Sequence, residues 1–186
     1  MELRRLIDQL ECFPIIAAIR DNKFQAALES PTDVLFYLEA KLSTISQRVA
    51  QAHEAEKLLF VHMDLAEGIG KDREGVQYLA SVGVDGIIST RGQIIRMAKD
   101  LGLLTVQRFF ALDSQGMGSM QEMLKNTTPD MMEIMPGVIA KAIRQFSAGS
   151  IPVIAGGLID SKQEVTSALS SGATAISTGC KELWYI

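Results

Sequence analysis

Residues 86–110 read GIISTRGQIIRMAKDLGLLTVQRFF, and the fold is decided here. Two short apolar runs, Gly86–Ser89 and Leu104–Phe109, flank a segment in which Ile94, Ile95, Ala98 and Leu101 recur at helical spacing. Gly102 follows as the helix stop. Continuous apolar runs, rather than clean alternation, are what strands buried on both faces look like. A strand, a helix and a second strand in that order make a parallel unit.

The same rhythm runs outward in both directions. Strands are predicted at Pro14–Ile19, Val34–Leu38, Leu58–Met63, Met131–Met135, Val153–Ala155 and Ala175–Ser177 as well. A helix is predicted at Leu3–Leu10, and Leu42, Ile45, Val49 and Ala52 share one face of another. Ser119 with Glu122, and Ser161 with Glu164, have capping-box spacing. Eight units favour a closed sheet over an open, doubly wound one. The fold class is therefore α/β, a compact TIM-type (β/α)8 barrel forming one domain over residues 1–186, with short loops. At 186 residues the chain falls below the usual length for such barrels, roughly 200–250, so one helix should be shrunken or missing. The triplet Ile88-Ser89-Thr90 returns as Ile176-Ser177-Thr178, a hint of internal symmetry.

Composition bounds the function. A 47% hydrophobic content with 22% charged residues excludes wholesale disorder. The apolar run Cys12–Ile19 contains Pro14 and is too short to span a bilayer, so no membrane partner is expected. There is no secretory cleavage pattern, and Cys12 and Cys180 lack metal-type spacing, which fits a cytoplasmic setting. The net charge of −4 argues against broad nonspecific binding to nucleic acid, while leaving room for a local basic patch. Arg91, Arg96 and Lys99 could line an exposed stripe near the ligand face, although a charged helix surface is usually just solvated, and His53 should face solvent on its helix. Trp184 should pack the last helix on the barrel.

Polar residues gather where the strands end, on the face that carries function in this architecture. Arg20 and Asp21 follow the first strand, Glu39 the second, and His62 and Asp64 close the third. Arg108 lies in the fifth strand and Glu133 in the sixth. Gly156-Gly157 follow the seventh and Ser177-Thr178-Gly179 the eighth, where glycine amides and hydroxyls suit a phosphate. The period-two spacing of Phe60, His62 and Asp64 points all three into the barrel, as ligand contacts or as a buried pair. The carboxylates of Asp21, Glu39, Asp64 and Glu133 could hold Mg²⁺, yet Arg20 and Arg108 would relieve their repulsion equally well. A metal is thus optional, and no residue is assigned as a metal ligand or a catalytic group.

Seven strings carry a resemblance: PIIAAIRD (14–21), FVHMDLAEG (60–68), GIISTR (86–91), QRFFALDS (107–114), EIMPG (133–137), IAGGLI (154–159) and AIST (175–178). In order and at strand ends, they resemble the glycerol-3-phosphate-responsive antiterminators, regulators of bacterial glycerol-uptake operons. The resemblance implies a cytoplasmic sensor of glycerol 3-phosphate that acts on leader mRNA and needs no cofactor. It sets the phosphate at Gly156, Gly157, Ser177, Thr178 and Gly179, and the glycerol hydroxyls among His62, Asp64, Arg108 and Glu133. The RNA role rests on the resemblance alone, since the chain has no recognisable RNA-binding module.

Two other readings fit the same residues. One is an enzyme, a Mg²⁺-assisted phosphodiesterase or a sugar-phosphate isomerase or lyase, with His62 and Glu133 as acid and base. Against a Schiff-base aldolase, no lysine lies inside a predicted strand. Against a glycerophosphodiesterase, the first strand ends in Ile19-Arg20-Asp21-Asn22 rather than the His-Arg-Gly of such enzymes. The other reading is a barrel whose ligand controls a partner protein. The expected mobile loops are Glu67–Lys71 and Asp113–Gly118, both with paired glycines. The oligomeric state is left open, a homo-oligomer included.

Overall fold

The computed structural model describes residues 3–111 and 114–186, the side chains of residues 114 and 115 excepted. Eight parallel strands close in sequence order, each bonded to the next and the last to the first. They are β1 (Ile15–Ile19), β2 (Val34–Tyr37), β3 (Leu58–His62), β4 (Gly86–Ser89), β5 (Leu104–Phe110), β6 (Met131–Met135), β7 (Val153–Gly156) and β8 (Ala175–Thr178). The helices are α1 (Leu3–Cys12), α2 (Phe24–Leu28), α3 (Ile45–Glu54), α4 (Arg73–Ser81), α5 (Gly92–Asp100), α6 (Ser114–Thr127), α7 (Ala140–Ser147) and α8 (Lys162–Ser170). Economy of length is achieved at two places. α2 has only five residues, and a 3-10 turn at Lys181–Tyr185 stands where the last helix would be.

Alternation along each strand divides two cores. Ile16, Phe36, Phe60, Ile88, Val106 and Ile154 point inward, and Leu6 and Leu10 of α1 join them to plug the base of the barrel. Ile15, Leu35, Val61, Ile87, Ile134 and Ile176 point outward and meet the helices. Gly86 is needed inside: a Cβ there would lie 2.2 Å from the Phe60 ring. Burying a side chain of that size stabilises by about 1.5–3 kcal/mol, so the plug anchors the barrel floor. Trp184 is wholly buried and donates from Nε1 to the Thr178 carbonyl at 2.9 Å, tying the C-terminus to β8.

Several local expectations change. Leu42 is not on α3: it lies in a turn after the Lys41–Glu67 bridge, its N–H donates to the Glu67 carbonyl, and its side chain is half exposed. Ser119 opens no helix, because α6 begins at Ser114 and runs through Gly116 and Gly118. Each glycine there costs about 1 kcal/mol of helix propensity, which the surrounding helix absorbs. The capping box at Ser161 and Glu164 is formed as expected. His53 is hydrogen-bonded to Asp85 at 2.9 Å rather than simply solvated, and Asp85 also accepts from the Leu59 N–H. Ile88 faces inward and Ile176 outward, so the repeated triplet sits one residue out of phase and marks no internal symmetry.

The loop at Glu67–Lys71 is tied down, with the Glu67 N–H donating to the Ala40 carbonyl and Lys71 to the Ala66 carbonyl. Within Asp113–Gly118, residues from Ser114 onward are helical, and Asp113 lies outside the described residues.

Candidate functional site at the barrel mouth

Above the apolar plug, the inward positions nearest the C-terminal face are Ala18, Leu38, His62, Arg108, Glu133, Gly156 and Ser177. Their sizes are unevenly distributed. On the β7–β8–β1 side they are Gly156, Ser177 and Ala18, and a cavity of about 180 Å³ opens there. It reaches from Arg108, Glu133 and Met135 to Gly157–Asp160 and Ser177–Gly179.

The cavity floor is a buried ion pair. β5 and β6 pair Arg108 with Glu133 in register, and Arg108 Nε donates to Glu133 Oε2 at 2.6 Å. Gly156 gives Glu133 its place, for a Cβ there would lie 2.2 Å from Glu133 Oε1. Gly157 has φ +73°, and its Cβ would lie 2.7 Å from Met135 Cε, so both space and conformation demand glycine. Leu158 follows at φ +57° with its side chain exposed, an unusual backbone for leucine. Opposite, Ser177 turns its hydroxyl side inward, while Thr178 turns outward. The Thr178 hydroxyl donates to the Ile159 carbonyl at 2.8 Å and accepts from the Cys180 N–H at 3.1 Å. Thr178 thus braces the two loops against each other while lining the cavity.

One cation of the site escaped the sequence reading. Lys23, in the 3-10 turn after β1, donates from Nζ to the Gly179 carbonyl, beside the cavity. Its position in the loop following a barrel strand was the available signal, masked by the louder Arg20-Asp21 pair. The apolar wall of Leu38, Met135 and Ile159 was also unforeseen.

The β3–β4 side of the mouth is arranged differently. Asp64 accepts from Ser89 Oγ at 2.6 Å, the Thr90 N–H at 2.8 Å and Thr90 Oγ1 at 2.7 Å. Burial alone would raise this carboxyl, but those hydrogen bonds and nearby His62 outweigh it and hold it below the usual carboxylate value. His62 Nε2 lies 3.7 Å from Asp64 Oδ2, and neither ring nitrogen has a partner among the described residues. Burial pushes its pKa down to about 4, helped by repulsion from Arg108, so the imidazole is neutral near pH 7. A neutral ring offers one donor and one acceptor.

Arg20 and Asp21 do not reach the cavity. Arg20 is exposed at the rim, 3.3 Å from Glu39. Asp21 turns outward to accept from Tyr37 Oη at 2.5 Å and from Arg48 Nη2 at 3.1 Å. Burial, reinforced by the Asp21 hydrogen bond, raises the Tyr37 hydroxyl to about 12. The four carboxylates weighed for Mg²⁺ therefore have separate partners: Tyr37 and Arg48, Arg20, Ser89 with Thr90, and Arg108. No three His, Cys, Asp or Glu side chains converge as a metal site among the described residues.

The decisive comparison spans almost the whole chain: residues 15–184 match the family model of the glycerol-3-phosphate responsive antiterminators. The chain belongs to that family. It is 33% identical to the glycerol uptake operon antiterminator regulatory protein of Listeria monocytogenes, with a TM-score of 0.87 over 92% of this chain and 95% of that one. An antiterminator-related protein of Thermotoga maritima is 31% identical, with a TM-score of 0.83 over 91% of this chain and 96% of that one. An uncharacterized Escherichia coli protein, YgcP, is 32% identical over 182 residues, 96% of this chain and 95% of its own. The antiterminator is thus a regulator of glycerol operons built on a closed (β/α)8 barrel. None of the helices described is long and apolar enough to cross a membrane.

Proposed function

We propose that this antiterminator binds glycerol 3-phosphate in the β7–β8 cavity and that the bound form acts on leader mRNA. The observation that carries the reading is the cavity itself: a small polar recess between two glycine-bearing loops, floored by Arg108 and flanked by Lys23. The phosphate would lie against Gly157, Ser177 and Gly179, with Lys23 supplying positive charge from the turn after β1. Glu133 and Arg108 would meet the glycerol hydroxyls, and His62 would add a neutral donor or acceptor behind Arg108. Two lysine or arginine charges beside the recess make a metal unnecessary for holding the anion, so the effector is expected to bind without Mg²⁺.

We infer a sensor rather than a catalyst. Asp64 has both oxygens committed to three hydrogen bonds, and Glu133 has Oε2 committed to Arg108 at 2.6 Å with Oε1 left for a ligand hydroxyl, which supports hydrogen-bonding roles for both. The eight strands carry no lysine for Schiff-base chemistry. The free thiols of Cys12 and Cys180 suit a cytoplasmic protein. Calorimetric titration with glycerol 3-phosphate, glycerol and inorganic phosphate tests the sensor. Selective binding of the phosphorylated glycerol, unchanged by chelator, is the expected result; equal affinity for all three, or none for any, contradicts it.

A further inference from the structure

Outside the barrel, on the β4–β5 side, α4, α5 and α6 enclose an open groove of about 450 Å³. Arg73, Arg96 and Lys99 line it against a single carboxylate, Asp100. Exposed Gln93, Asn126 and Thr128 add hydrogen-bonding groups. For a chain with a net charge of −4 this is an unusual local excess of positive charge. Between Asp85 and Asp100 the chain has Arg91, Arg96 and Lys99 and no acidic residue at all. Arg73 is 3.9 Å from Asp100, and Lys99 is 3.8 Å from Asp130 and donates to the Thr128 carbonyl. Arg96 is exposed and makes no ion pair among the described residues. Thr128, at the groove's edge, has φ +42°, a left-handed backbone that few threonines adopt.

We infer that this groove is where the antiterminator grips RNA, through the phosphate backbone of the leader transcript. The inference rests on the reading that the protein acts on leader mRNA, and it adds the surface. Charge complementarity selects the occupant: phosphates need fixed cations, and amide and hydroxyl groups beside them can bond sugar and phosphate oxygens. The groove is also wired to the ligand cavity. Thr127 of α6, in the groove wall, donates to Gln107, the β5 neighbour of cavity-facing Arg108. A ligand that biases β5 therefore has a direct mechanical path to the groove wall, as an effector must if it prefers one arrangement.

The test is fluorescence anisotropy of the full chain with a labelled transcript carrying the leader terminator of a glycerol-utilisation operon, at saturating glycerol 3-phosphate. Arg96→Glu and Arg73→Glu should each weaken binding on the order of tenfold. Arg96→Gln should reduce the salt-dependence slope by about one. Lys141→Glu, an equal charge reversal on exposed α7, should leave affinity unchanged. Calorimetry with glycerol 3-phosphate should be the same for all four variants. Groove variants that bind RNA like the wild type, or a Lys141→Glu loss as large as theirs, would overturn the groove while sparing the regulator. A wild-type protein that ignores the transcript would instead refute the RNA reading, and the groove with it.

Discussion

The two halves of the barrel mouth carry similar polar residues and use them in opposite ways. On the β3–β4 side, Asp64 spends its oxygens on Ser89 and Thr90, and the hydroxyls spend theirs on Asp64. On the β7–β8 side, glycines and an inward serine leave space, and the cations Lys23 and Arg108 border it. The difference teaches that a polar residue at a strand end is a binding group only when its neighbours are too small to satisfy it. Gly156 and Ala18 make a cavity by what they lack; Ser89 and Thr90 close one by what they offer.

Substitutions can break or sharpen this contrast. The largest effect should come from the shared floor. Arg108→Met leaves Glu133 buried without its partner, which typically costs about 3–5 kcal/mol, seen as a lowered midpoint in denaturant unfolding. If stability barely changes, the pair is not the buried keystone described. Next, Asp64→Ala strips the acceptor from Ser89 and the Thr90 N–H, and should cost about 1–3 kcal/mol. Its effector affinity, measured on the folded variant, should stay near that of the wild type. A large loss of binding there would put Asp64 in the ligand site and erase the distinction between the halves.

Lys23→Met inverts that pattern. Lys23 is only partly buried and holds a single carbonyl, so stability should hold, while effector affinity falls on the order of tenfold, about 1.4 kcal/mol. The smallest effect is a pH slope. His62 has a folded pKa of about 4 against an ordinary value of 6.5, so between those values the unfolded chain binds more protons. Stability should therefore fall as pH drops from about 6.5 towards 4. His62→Gln should remove that part of the slope, read as a difference in melting temperature between variant and wild type across the window. Parallel curves would mean that the imbalance at His62 is absent.

Much of this was legible in the sequence, for physical reasons. All eight strands are found where continuous apolar runs occur, because burial on both faces leaves little choice of residue. The glycines after β7 were legible as a close-approach turn, and the structure gives the reason: a Cβ at Gly156 would meet Glu133, and one at Gly157 would meet Met135. What escaped depends on side-chain partners that spacing does not encode. Asp21 reads like a mouth residue, yet Tyr37 and Arg48 draw it outward. Thr178 reads as a ligand donor, yet its parity and the Ile159 carbonyl make it a brace. Lys23 reads as an ordinary surface lysine until the closure of β8 on β1 brings Gly179 to it. The start of α6 was lost because Gly116 and Gly118 look like a loop.

The most direct test of the divided mouth is a crystal structure of the protein with glycerol 3-phosphate bound. The phosphate should lie within hydrogen-bonding distance of Gly157, Ser177 and Gly179, with Lys23 beside it and the glycerol turned towards Arg108 and Glu133. A phosphate seated instead against Asp64, Ser89 and Thr90, or outside the barrel, would contradict the account.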